Sequence, residues 1–143
     1  MKAVIASDHA AFELKAEIID YLKEKGYEVV DLGPITNEPT SYSLQGHKLA
    51  HYVLENQEDL AIGMCGTGLG ISYALNRHKG IRAARCTSEQ DAMLAKKHND
   101  ANILVIGGRI SSICDARKMI EAFTHTEFEG GRHIQRIKQI EEN

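Results

Sequence analysis

Asp59-Leu60-Ala61-Ile62-Gly63-Met64-Cys65-Gly66-Thr67-Gly68-Leu69-Gly70-Ile71-Ser72-Tyr73-Ala74 joins a strand pattern to a helix pattern. Its first half is a short apolar run of the kind that forms a buried strand. Its second half has helical periodicity, so Cys65 to Gly70 falls on the turn between the two. Glycines at 66, 68 and 70 let the backbone approach a ligand closely. Successive N–H groups at a helix start attract an anion or a developing oxyanion. Cys65 sits beside them, a placement that favours the thiolate and makes it a candidate base or nucleophile. The other reading is a tight strand-to-helix turn holding a buried, inert cysteine.

Toward the N-terminus, Lys2 to Ala6 reads as a strand, Ser7-Asp8-His9 as a polar turn that can cap the next helix, and Ala10 to Lys25 as that helix, amphipathic and stopped by Gly26. A strand over Tyr27 to Leu32 leads into Gly33 to Ser43, an aperiodic loop with both prolines, and a helix over Leu44 to Asn56. Toward the C-terminus, the organising helix ends near Lys79-Gly80 and a strand follows over Ile81 to Cys86. A helix over Ser88 to Lys97, opened by Thr87 or Ser88, precedes the polar break His98-Asn99-Asp100. A strand over Ala101 to Ile106, the turn Gly107-Gly108-Arg109 and a helix over Ser112 to Phe123 come next. Glu129-Gly130-Gly131-Arg132-His133 opens a terminal helix of about ten residues.

Five strands alternating with helices predict one doubly wound α/β domain over residues 1–143, its parallel sheet covered on both faces. Ligands bind such sheets at the carboxyl ends of the strands. Ser7-Asp8-His9, Cys65 to Gly70, Cys86-Thr87-Ser88 and Gly107-Gly108-Arg109 are expected there, with His98 joining them if its loop folds inward.

A formal net charge of −3 argues against nucleic acid and anionic membranes as general partners. Cys65, Cys86 and Cys114 are odd in number and lack C-x-x-C or zinc spacing, which fits a reduced, cytoplasmic setting. The N-terminal apolar run is too short for a signal peptide, and no stretch is apolar enough to span a membrane.

The glycine turn is a poor dinucleotide fingerprint. Ile71 stands where G-x-G-x-x-G needs its third glycine, and the next strand ends in Arg85-Cys86-Thr87 with no acidic residue for a ribose hydroxyl. No Gly-Lys-Ser/Thr follows, which excludes a P-loop, so a cradle for a small oxyanion is the better reading. Arg132 and Arg136 lie i, i+4 on the terminal helix, either as a phosphate clamp or as a solvated charged face. Asp8-His9 is either a polar cap or a pair that orients a polyol or phosphate. His98 either ends a helix or serves as a general acid/base. His9, His98 and His133 fall near strand ends or the arginine pair, while His47, His51, His78 and His125 read as surface or packing residues.

Ser7-Asp8-His9-Ala10, Cys65 to Gly70, His98-Asn99-Asp100-Ala101-Asn102, Gly107-Gly108-Arg109 and Glu129-Gly130-Gly131-Arg132-His133-x-x-Arg136 together resemble the ribose-5-phosphate isomerase B and galactose-6-phosphate isomerase family over nearly the whole chain. The resemblance implies a Rossmann-like three-layer α/β/α sandwich with a five-stranded parallel sheet and a C-terminal helix. It also implies cofactor-free, metal-free aldose–ketose isomerisation of a sugar phosphate by a homodimer or dimer of dimers with shared sites. By the same resemblance Cys65 is the proton acceptor, with Thr67 beside it in the catalytic group, and His98 is the acid/base that opens the sugar ring. Asp8, His9, Tyr42, Gly66, Gly68, Leu69, Gly70, Asn99, Arg109, Arg132 and Arg136 contact the substrate, with ribose 5-phosphate expected before allose or galactose 6-phosphate. The family's usual Asp-Tyr-Pro is Ser41-Tyr42-Ser43 in this chain, and Ala11 replaces the glycine after Ser-Asp-His-Ala. A non-catalytic sugar-phosphate or nucleotide-binding module on the same fold is the competing reading.

Overall fold

Apolar runs at five places along the chain form one parallel sheet in the computed structural model, which describes residues 1–142. The strands are β1 (Lys2–Ser7), β2 (Glu28–Asp31), β3 (Leu60–Cys65), β4 (Ala83–Arg85) and β5 (Ile103–Gly107), in the order β2-β1-β3-β5-β4. A 3₁₀ turn (His9–Ala11) and helices α1 (Phe12–Glu24), α2 (Tyr42–Glu55), α3 (Leu69–Leu75), α4 (Glu89–Asn99), α5 (Ile113–His125) and α6 (Arg132–Glu141) complete the chain.

The two-residue period of the strands divides the core. Ile5, Ile62, Met64, Leu104 and Ile106 pack with Leu14, Ile18 and Leu22 of α1, Ala92 of α4 and Met119 and Phe123 of α5. Val4, Ala6, Ala61, Cys65, Ile103 and Val105 point the other way, against Leu49 of α2 and Ile71 and Leu75 of α3. β3 and β5 are buried along their whole length, as a parallel sheet covered on both faces requires. The expected three-layer α/β/α sandwich with five parallel strands is therefore the observed one.

Element bounds differ from expectation where side chains cap or divert the backbone. α2 begins at Tyr42, before the expected Leu44, because Ser41 Oγ accepts from Leu44 N at 3.3 Å. β4 has only three residues, since Asn102 Oδ1 takes the Arg82 N–H at 2.8 Å ahead of it. Ser88, of the two candidates, caps α4.

The registers bring the working ends level. Ser7 pairs with Met64 across β1 and β3, and Cys65 pairs with Gly107 across β3 and β5. The chain runs from β1 to β2 on one side and then to β3 on the other, so a switch point opens between β1 and β3 at their carboxyl ends. His98 does not join it. The residue lies in the last turn of α4, just before β5, and the neighbouring Asn99 carbonyl accepts from Arg82 Nε at 3.0 Å ahead of β4. Both places are at the amino edge of the sheet, so the condition under which His98 would join the carboxyl-end cluster, a loop folded inward, is not met within one chain: a helix returning between parallel strands ends where the next strand begins.

Candidate active site

Past the ends of the strands the sheet's hydrogen bonding continues into the turns. Asp8 N donates to Met64 O at 3.0 Å, Gly108 N to Cys65 O at 2.8 Å and Arg109 N to Gly66 O at 2.9 Å. These bonds set the segments after β1, β3 and β5 side by side around a cleft of about 500 Å³, a volume within the range of small-molecule sites. Asp8, His9, Thr40, Ser41, Tyr42, Cys65, Gly66, Thr67, Gly70, Tyr73 and Arg109 line it with Ala10.

Cys65 is 3 % exposed and closes β3 at the floor of this cleft. The turn after it is held from three directions. Thr67 Oγ1 accepts from Leu69 N at 3.2 Å, Arg85 Nε donates to Thr67 O at 3.0 Å, and Gly68 at φ +82° makes a backbone reversal that a side chain would strain. Gly70 is needed for a different reason: a Cβ there would lie 2.5 Å from the Tyr42 ring, so the aromatic wall can close only on a bare backbone. The Arg109 side chain packs against Gly66 and supplies the cationic group of the lining.

The opposite wall is polar and braced. Asp8, 4 % exposed, accepts from Ala10 N at 2.9 Å through Oδ1. His9 Nδ1 accepts from Thr40 N at 3.0 Å, which engages that nitrogen's lone pair and leaves Nε2 to carry the ring N–H. The long loop that brings Thr40 is pinned at its root by buried Lys15, whose Nζ reaches Asp31 Oδ1 at 2.8 Å and Pro34 O at 2.6 Å. Ser41 acts as the N-cap of α2.

The sequence-derived candidates fall into two groups. Asp8, His9, Tyr42, Cys65, Gly66, Thr67, Gly70 and Arg109 meet in the cleft, and Gly68 and Leu69 build the turn behind its lining. His98, Asn99, Arg132 and Arg136 do not line it. His98 stacks on His133 with ring centroids 4.7 Å apart, and Glu129 Oε2 lies 3.7 Å from His98 Nε2 and 4.0 Å from His133 Nε2. Burial, then the positive neighbours His98 and Arg132, push the His133 imidazole below its ordinary value. Among the described residues these three are the group whose ligand atoms lie close enough to share a metal ion. Local spacing could not show it, because His98 comes from α4, Glu129 from the segment leading into α6 and His133 from the first turn of α6. Thr40, Tyr73 and Arg85 belong to the cleft or its supports without a place among the sequence-derived candidates. Tyr73 carried a signal, lying one turn beyond Leu69 on α3; Thr40 carried none. The other cysteines lie apart: Cys86 is buried, its thiol pushed up to about 12 by that burial, and Cys114 is exposed on α5.

The family described as Ribose/Galactose Isomerase matches residues 3–140. Ribose-5-phosphate isomerase B of Escherichia coli strain K12 is 40% identical over 139 residues, which cover 97% of this chain and 93% of that protein. The crystal structure of a ribose 5-phosphate isomerase from Thermotoga maritima superimposes with a TM-score of 0.97 at 47% identity, covering 99% of this chain and 98% of that one. A ribose-5-phosphate isomerase B from Mycoplasma genitalium, solved with bound ribulose 5-phosphate, gives a TM-score of 0.92 at 39% identity over 99% of this chain and 94% of that one. With the family's match spanning residues 3–140 and the fold superimposing over nearly the whole chain, the chain belongs to the ribose/galactose isomerase family.

Proposed function

We propose that this chain, as one unit over 1–143, interconverts ribose 5-phosphate and ribulose 5-phosphate through an enediolate, without a cofactor. The observation that carries the reading is the meeting of Cys65, the glycine turn, the Asp8-His9 pair and Arg109 in one cleft at the switch point of the sheet. The names of its relatives and the ribulose 5-phosphate bound to one of them support the choice of substrate.

Isomerisation removes a proton from C2 of the open-chain aldose and returns one to C1, while charge gathers on the carbonyl oxygen O1, which ends with the proton that leaves the O2 hydroxyl. Cys65, as thiolate, takes the C2 proton. N–H groups of the turn after it stabilise the enediolate oxygen, since the first N–H groups of a helix have no partner within it. His9 Nε2–H donates to a sugar oxygen and Asp8 accepts from a sugar hydroxyl. Arg109 holds the phosphate in part.

Ring opening needs a further acid/base, and the phosphate dianion needs more positive charge than one guanidinium. We infer that His98, Asn99, Arg132 and Arg136 of a second copy supply both, which makes the working unit at least a homodimer with shared sites. Three free cysteines fit a reducing, cytoplasmic setting. Among the described residues no helix is long and apolar enough to cross a membrane.

A coupled assay for ketose formation with ribose, allose and galactose phosphates tests the reading. Turnover fastest with ribose 5-phosphate is expected. Saturable binding without turnover of any aldose phosphate would instead identify a binding module.

A further inference from the structure

Glu129 and His133, which the isomerase reading leaves unused, lie beside His98, which it uses. Their ligand atoms all lie within 4.8 Å of one another. His133 is 8 % exposed, and its Nε2 is buried without a hydrogen-bond partner, 4.0 Å from Glu129 Oε2. In the single chain the side chains of His98 and Glu129 are 36 % and 48 % exposed, so an ion can reach them from solvent before a second copy or substrate covers them.

We propose that His98 Nε2, Glu129 Oε2 and His133 Nε2 form a site for a divalent transition-metal ion of the zinc class, and that the bound ion inhibits the enzyme by taking the His98 lone pair. Two imidazoles and one carboxylate are the donor set that zinc accepts, with a water in the fourth position, and they select against magnesium and calcium, which need oxygen ligands. Neighbouring ligand atoms on a tetrahedral zinc stand about 3.3 Å apart, so the 3.7 Å and 4.0 Å contacts close by about 0.4 and 0.7 Å, and the partly exposed His98 ring turns out of its stack on His133 to bring both lone pairs onto the ion. Arg132 and Arg136 on the same helix oppose a cation, which makes the ion exchangeable and suits reversible inhibition. The ion also gives the stranded His133 nitrogen its partner.

The inhibitory half of the proposal rests on the isomerase reading; the binding half does not. Zinc binding is measured on the purified full chain by competition with a chromogenic chelator, and cobalt binding by its visible absorption. Glu129→Gln and His133→Gln are each expected to weaken binding by about 10–100-fold, the loss that even an outer-shell partner of a metal causes. Glu129 is half-exposed, so its variant reads the site even if the buried His133 variant folds poorly. A second group of histidines, His47, His51 and His78, has His47 Nδ1 2.7 Å from His78 Nε2 and is the competing place for zinc. His47→Ala/His51→Ala is expected to keep the proposed site intact. Equal affinity in wild type and Glu129→Gln, or loss of binding in the His47→Ala/His51→Ala variant, overturns the proposal. So does full ribose 5-phosphate turnover with the site loaded. Binding lost in Glu129→Gln together with no turnover by the metal-free enzyme leaves the site standing and removes the isomerase reading.

Discussion

Cys65 and Cys86 are both almost fully buried, yet only Cys65 opens on the cleft. Burial holds the Cys86 thiol up at about 12, far from thiolate at neutral pH. Cys65→Ala is expected to lower kcat by about 10²–10⁴-fold, or about 3–5 kcal/mol of transition-state stabilisation, with KM little changed. Cys86→Ala should stay active. Steady-state kinetics check both, and exchange of the substrate's C2 proton with solvent deuterium localises the loss: continued exchange in Cys65→Ala at the wild-type rate would assign the base elsewhere. A second test at this scale concerns Gly70, whose missing Cβ makes room for the Tyr42 ring. Gly70→Ala should raise KM, and in the Tyr42→Ala background the same change should do much less. A double-mutant cycle measures the difference, and additivity within about 0.5 kcal/mol would show that the contact does not matter.

The loop from Gly33 to Ser43 is shaped by partners in other elements: Lys15 of α1 holds its root and His9 takes the Thr40 N–H. Neither contact can be read from the loop's own residues, which is why this part of the site was not legible in the sequence. The glycine turn was legible, because its shape depends on residues adjacent in the chain. His98 lay between these cases: its place at a helix end could be read from the sequence, but which edge of the sheet it reaches depends on the direction of α4. Lys15→Met should lower stability by less than the about 3–5 kcal/mol lost when a fully buried pair is broken, because Asp31 remains 40 % exposed to water. Urea unfolding measures this loss, and KM should rise as Thr40 and Tyr42 lose their support. Helix starts set the acid limit. Asp91 at the start of α4 and Asp115 at the start of α5 are held below their usual values, first by the backbone N–H groups of Thr87 and Ser112 and then by hydroxyls. Carboxyls depressed on folding stabilise the fold fully above their unfolded value near 4 and lose that contribution as pH falls through the folded values. The Tm should therefore drop as pH falls below about 4, and Asp91→Asn should flatten the drop.

Across the whole molecule, the proposed reaction needs groups that one chain holds at opposite edges of its sheet: Cys65 and Arg109 at the carboxyl ends, His98 at the amino edge. Two copies arranged with two-fold symmetry can place each chain's α4 and α6 against the other's cleft. Activity should then fall on dilution in step with loss of the dimer, as light scattering follows it. The most direct test uses two inactive variants, Cys65→Ala and His98→Asn, mixed after unfolding and refolding together. A heterodimer of the two carries one site with both Cys65 and His98 intact. Random pairing should restore about one quarter of wild-type turnover of ribose 5-phosphate, whereas a mixture no more active than either variant alone would contradict a site in which Cys65 of one chain works with His98 of another.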